Sequence, residues 1–126
     1  MPITRISPAE AAAKMLEGAT YVDVRTPEEF ADGHPAAAVN VPWPSPGFLG
    51  AMNALFTKTH PNIVLGCRSG NRSMRAAEAL VADGWGPIFE QRGGWDGARD
   101  AFGTVTEVGW ARAGLPVETG PGKVRP

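Results

Sequence analysis

The residues of this chain best suited to chemistry lie together in one heptapeptide, Cys67-Arg68-Ser69-Gly70-Asn71-Arg72-Ser73. Cys67 is the single cysteine, so its thiol has no disulfide partner within the chain. It follows the most β-prone run, Asn62 to Gly66, and precedes a helical stretch from Arg72 to Ala82. A chain that leaves a strand and curls into a helix N-terminus turns successive N–H groups inward. The positive end of the helix dipole adds to their field. Arg68 and Arg72 bring two further positive charges. Such surroundings favour the thiolate, the nucleophilic form of cysteine, at neutral pH. Gly70 supplies positive φ or close backbone approach, and Ser69, Asn71 and Ser73 supply short hydrogen-bonding side chains. An average cysteine is an inert buried hydrophobe. One that enters a polar, doubly basic, glycine-containing turn is read here as a nucleophile.

The elements that position this loop follow from local signals. Ser7-Pro8-Ala9-Glu10 is a capping box with proline in the first turn, and predicts a helix to about Leu16 with Gly18 as its stop. Thr20 to Val24 is a short buried strand. Thr26-Pro27-Glu28-Glu29 repeats the capping pattern and predicts a helix to Ala31, ended by Gly33. Ala38 to Val41 is a strand. Pro42 to Gly47 is a loop, because its prolines lack N–H donors. Phe48 to Thr57 is apolar at helical spacing. The helix after Cys67 is stopped by Asp83-Gly84, and Pro87 to Glu90 is a strand. Trp95 to Phe102 and Thr106 to Ala113 are expected as helices, with Gly114 closing the second. Strands alternating with helices imply an α/β fold with a mostly parallel sheet covered on both faces. Ligands bind such sheets beyond the carboxyl ends of the strands. The segments leaving those ends are Arg25-Thr26, Pro42 to Gly47, Cys67 to Arg72 and Gln91 to Trp95.

Composition sets the outer bounds. The 126 residues are enough for one domain, and 43% hydrophobic with 20% charged residues is ordinary for a folded protein. Residues 1–118 are read as that domain and 119–126 as a flexible tail. The net charge of −1 shows no basic footprint for nucleic acid. No window approaches the apolar length of a membrane span, and Met1 to Lys14 has no apolar signal-peptide core, so the expected location is cytoplasmic. Two isolated histidines and one cysteine make no metal site of recognisable spacing.

Asp23 to Phe30 (Asp-Val-Arg-Thr-Pro-Glu-Glu-Phe), Gly33-His34, Val39-Asn40-Val41-Pro42, the Cys67–Ser73 loop, Gly93-Gly94-Trp95 and Ala113 to Val117 together resemble the single-domain rhodanese sulfurtransferases. The resemblance runs from about Arg5 to Glu118, with the motifs in family order. It implies a five-stranded parallel sheet flanked by helices, and no cofactor. It also implies a ping-pong reaction in which Cys67 takes sulfane sulfur from thiosulfate or a similar donor as a persulfide. Cyanide, a thiol or a protein acceptor then removes that sulfur. By the same resemblance the backbone of Arg68 to Arg72 cradles the sulfur, and the two arginines orient an anionic donor. Four residues separate Cys67 from Arg72. Phosphate-handling cysteine enzymes carry a loop one residue longer, and the tighter ring suits one sulfur atom better than a tetrahedral phosphate. Arsenate reductase or phosphatase chemistry, and a persulfide carrier or sensor without turnover, are the alternatives.

The sequence departs from the family pattern at Pro35 to Val39 and in a longer Asp100–Val108 segment. Asp23 and Arg25 are read as a polar network holding loops, with electrostatic tuning of the pocket as the competing role. His34 is read as structural and His60 as exposed. Trp43 and Trp95 either wall the pocket or pack. Trp85, Trp110, Met15, Met52 and Met74 are read as packing residues.

Overall fold

The computed structural model describes residues 2–121. Its centre is a five-stranded, wholly parallel sheet in the order β1 (Ile3–Ile6), β6 (Ile88–Gln91), β5 (Ile63–Gly66), β2 (Thr20–Asp23) and β4 (Val39–Asn40). The central strand β5 is buried along its whole length, as expected of a parallel strand covered on both faces. Its side chains alternate between two cores. Ile63 and Leu65 face α3 (Phe48–Leu55) and α4 (Asn71–Ala82) through Phe48, Met52, Ala77 and Leu80. Val64 faces the other side, where α1 (Pro8–Leu16) and α2 (Pro27–Asp32) contribute Ala11 and Phe30, joined by Trp110.

Both expected capping boxes form. Ser7 Oγ accepts the Glu10 N–H at 3.1 Å, and Glu10 Oε1 accepts the Ser7 N–H at 2.8 Å. Thr26 and Glu29 do the same at 3.2 and 3.0 Å.

Four features differ from the sequence-based expectation. Ile3–Ile6 is a strand that the sequence reading did not assign; its pairing is with β6, at the other end of the chain. Trp95 to Phe102 is not a helix but a turn leading into β7 (Ala98–Arg99), which pairs antiparallel with β8 (Val105–Glu107). Gly97 and Gly103, at φ of 90° and 80°, break any helix there. Asp100 Oδ1 accepts the N–H groups of Phe102 and Thr104 at 2.8 and 3.0 Å and turns the hairpin. Thr106 to Ala113 likewise contains the end of β8 and only a short 3₁₀ turn, Trp110–Arg112. Finally, β3 (His34–Pro35) and β9 (Val117–Glu118) form a small antiparallel pair. Beyond it Gly120 N–H donates to Ala31 C=O at 2.8 Å. The rest of the expected tail, residues 122–126, lies outside the described residues.

Trp85 and Trp110 are buried core residues, as expected, and Met52 is fully buried. No helix among the described residues is long and apolar enough to cross a membrane.

Candidate active site

Cys67 stands immediately beyond the carboxyl end of the central strand, and α4 begins at Asn71. Gly70 is the N-cap residue of α4 with φ 108°, a conformation that disfavours every residue with a Cβ. That turn points the Gly70 N–H at Cys67 Sγ, 3.1 Å away. Ser73 Oγ lies 3.3 Å from the same sulfur. Cys67 is only 2% exposed, so the sulfur sits at the bottom of its loop.

The loop is held from outside. Trp95 N–H donates to Cys67 C=O at 2.7 Å, and Asp96 N–H donates to Arg68 C=O at 2.8 Å. The negative ends of two loop peptides are thereby turned toward the neighbouring segment and away from the sulfur. Gly94 makes this approach possible: a Cβ there would stand 2.2 Å from Cys67 O.

Both expected cations are present at the rim, and each is paired. Arg72 makes a bidentate pair with Glu29, Nη1–Oε1 at 2.7 Å and Nη2–Oε2 at 2.9 Å. These hydrogen bonds from Arg72 hold the Glu29 carboxyl down at about 2, from an ordinary 4.5. Arg68 Nε donates to Asp96 Oδ2 at 2.6 Å, with the Arg68 side chain 66% exposed. Ser69 and Asn71 are exposed and Ser73 is fully buried.

Arg25, Glu29, Asp32, Arg68, Trp95 and Asp96 line an open cleft of about 250 Å³ beside the loop. Trp95 walls this cleft, with the Arg25 guanidinium 5.0 Å from its ring centroid. Trp43 packs edge-on to Phe48 in the α3–α4 core. A larger groove of about 380 Å³ lies elsewhere, lined by residues such as Met15, Leu16, Trp110 and Leu115. It has no ionisable or nucleophilic side chain in its wall, so the smaller cleft is the one suited to chemistry.

Asp23 and Arg25 form a buried network. Arg25 Nη2 donates to Asp23 Oδ2 at 2.7 Å and to Gly33 C=O at 2.6 Å. Asn40 Nδ2 donates to the carbonyls of Asp23 and Arg25, both at 2.9 Å, which ties the ends of β2 and β4 together. His34 is buried, stacks on Phe30 at 3.6 Å and donates from Nδ1 to Phe30 C=O at 2.7 Å, a structural placement. Among the described residues no group of three His, Cys, Asp or Glu side chains is arranged to hold a metal ion.

Sequence reasoning missed four side chains. Glu29 and Asp96 neutralise the two arginines. Glu90 and Arg5 lie beneath the loop, paired at 2.6 Å. The local pattern around Glu29 signals only its capping role. Glu90 carried a signal of its own, since a charged residue inside a buried strand demands a partner.

A rhodanese-like domain family model matches residues 7–101. The chain is 35% identical over 113 residues to "Thiosulfate sulfurtransferase 16, chloroplastic" of Arabidopsis thaliana, covering 82% of this chain and 83% of that one. It is 33% identical over 119 residues to "Thiosulfate sulfurtransferase GlpE" of Haemophilus influenzae, covering 94% and 98%. Two other plant relatives are longer, and the match spans 59% of each. The crystal structure of Rv0390 from M. tuberculosis superposes with a TM-score of 0.75 at 30% identity, covering 92% of this chain and 97% of that one.

Proposed function

Because the chain belongs to the rhodanese-like domain family and is similar to proteins named thiosulfate sulfurtransferase, we propose that it moves sulfane sulfur through a persulfide on Cys67. The observation that carries this reading is the seat of the sulfur. Cys67 Sγ lies at the floor of a loop closed by Arg72, with four residues between the two, and the Gly70 N–H is aimed at it from 3.1 Å. Negative charge placed there meets a backbone dipole and the N-terminus of α4.

The reaction needs no cofactor. The Cys67 thiolate attacks the outer sulfur of thiosulfate; a new S–S bond forms, the old one breaks, and sulfite leaves with the bonding pair. Cyanide or a thiolate then attacks the terminal sulfur of the Cys67 persulfide, and the electron pair of that S–S bond returns to Cys67. The donor and acceptor are small molecules in this scheme, and a protein thiol reaching the open cleft is an alternative acceptor.

Arg68 and Arg72 do not act as free charges in it. Each is paired with a carboxylate, so an anionic donor competes with Asp96 and Glu29 for them. Backbone N–H groups are the part of the site with no such competitor.

The test is intact-protein mass spectrometry after thiosulfate, then after cyanide, on wild type and Cys67→Ser. Wild type gains one sulfur and loses it to cyanide as thiocyanate, while the variant gains nothing. Equal loading of both proteins, or aryl-phosphate hydrolysis that vanishes in Cys67→Ser, overturns the reading.

A further inference from the structure

One buried acid beside the nucleophile has no part in the scheme above. Glu90, on β6, is fully buried. Its Oε1 accepts from Arg5 Nε at 2.6 Å and its Oε2 accepts from Ser73 Oγ at 2.5 Å. Ser73 is also fully buried, and its Oγ is the atom 3.3 Å from Cys67 Sγ. A hydroxyl carries one proton. Ser73 can donate to the Glu90 carboxylate or to a Cys67 thiolate, and not to both. The shorter distance gives that proton to Glu90 while Cys67 is a thiol.

We propose that Glu90 is a positioning residue that governs ionisation of Cys67 through Ser73, so that carboxyl and sulfur share one negative charge. The step balances. The Cys67 S–H bond breaks as its proton bonds to Ser73 Oγ, and the Ser73 proton moves to Glu90 Oε2. Thiol becomes thiolate, carboxylate becomes carboxylic acid, serine is regenerated, and no proton leaves for solvent. A thiol that is 2% exposed has little direct access to water as a base. Burial supports the arrangement by pushing the Glu90 carboxyl above its ordinary value, against the opposing pull of Arg5 and Ser73.

The other charged or titratable groups around the pair come from every neighbouring element. Arg5 on β1 and Arg92 after β6 favour the Glu90 carboxylate. Tyr21 and Asp23 come from β2; the Tyr21 phenol is pushed well above its ordinary value by burial, and Asp23 is held by Arg25. Arg72 on α4 faces Cys67 while held by Glu29. Among the described residues, Glu90 is the acid with a hydrogen-bonded path to the sulfur.

The inference rests on Cys67 being the nucleophile, and its test uses no sulfur donor. The rate of Cys67 alkylation by iodoacetamide is followed against pH. Coupled groups give wild type a two-step profile. Glu90→Gln keeps the size and the hydrogen-bond acceptor but removes the charge. It gives a single step at least about one pH unit below the upper wild-type step, a roughly tenfold gain in alkylation rate on the rising limb. Ser73→Ala removes the hydroxyl donor and moves the upper step to higher pH. Opposite signs from the two variants are the signature that a merely structural role would not produce. The same profile in Glu90→Gln as in wild type overturns the link and leaves sulfur transfer standing. If Glu90→Gln fails to fold, Ser73→Ala decides: an unchanged or lowered upper step overturns the link. A wild type that alkylates as expected but takes no sulfur from thiosulfate overturns the sulfur-transfer reading and leaves the link standing.

Discussion

Glu29→Gln is the substitution that best tests how the rim of the site is held. Glutamine can still complete the capping box with Thr26, so the start of α2 keeps its cap. What it loses is the charge facing Arg72. The Glu29 carboxyl is held at about 2 against an ordinary 4.5, chiefly by its hydrogen bonds from Arg72. Each unit of such a drop corresponds to about 1.4 kcal/mol of folded-state stabilisation, which sets a ceiling of roughly 3.5 kcal/mol. The two side chains are 28% and 30% exposed, so water screens the pair and about 1–2 kcal/mol is the expected loss at pH 7. The sign is fixed by linkage. A carboxyl depressed in the folded state adds stability that is fully present above 4.5 and disappears as the pH falls through about 2. Urea unfolding of both proteins at pH 7, 4 and 2.5 therefore gives a gap that is full at pH 7 and mostly closed at pH 2.5. A gap within a few tenths of a kcal/mol of zero at pH 7, or an equal gap at pH 2.5, refutes the reasoning. The same variant frees Arg72, so KM for thiosulfate falls.

The other predictions concern the opposite side of the rim and the floor of the loop. Asp96→Asn removes the charge that holds Arg68 at 2.6 Å; kcat/KM for thiosulfate rises several-fold, with a steeper fall on added salt, and an unchanged value shows that Arg68 does not meet the donor. Gly94→Ala places a methyl 2.2 Å from Cys67 O; overpacking costs about 1–3 kcal/mol, and a backbone obstacle that cannot rotate away puts this case at the upper end. A Gly94→Ala protein with wild-type melting and persulfide loading contradicts that close approach.

What the sequence disclosed was local. The Cys67–Ser73 loop, the two capping boxes and the central strand are each specified by residues a few positions apart, and each forms where expected. The strand Ile3–Ile6 was not legible because its four residues carry no pattern of their own; it exists through its ladder with β6. The segment after Gly94 misled for a related reason. Its apolar residues fall at helix-like spacing, but Gly97 and Gly103 adopt positive φ, and the Asp100 side chain takes N–H groups that a helix would have used. The pairing of the arginines was hidden by distance along the chain: Arg72 and Glu29 lie 43 positions apart, and Arg68 and Asp96 lie 28 apart. The capping box with Thr26 is by itself a sufficient local reason for a glutamate at position 29.

Under the proposed sulfur transfer, those pairings change how the site attracts a donor. Two unpaired guanidinium groups would make the rim a strong anion trap and would hold sulfite after it had left. With Glu29 and Asp96 in place the rim has little net charge to offer, and an incoming dianion gains from an arginine only by weakening an ion pair. The Gly70 N–H differs, because its hydrogen bond is already directed to the sulfur. Stabilisation is then concentrated at the atom whose charge changes during transfer, and the spectator oxygens of the donor receive less of it. Preorganised dipoles aimed at developing charge lower a barrier, whereas charges that hold donor and product alike mainly tighten binding. Releasing Arg68 with Asp96→Asn should therefore lower KM for thiosulfate more than it raises kcat. A rise confined to kcat would mean that the arginine, and not the loop backbone, carries the transition state.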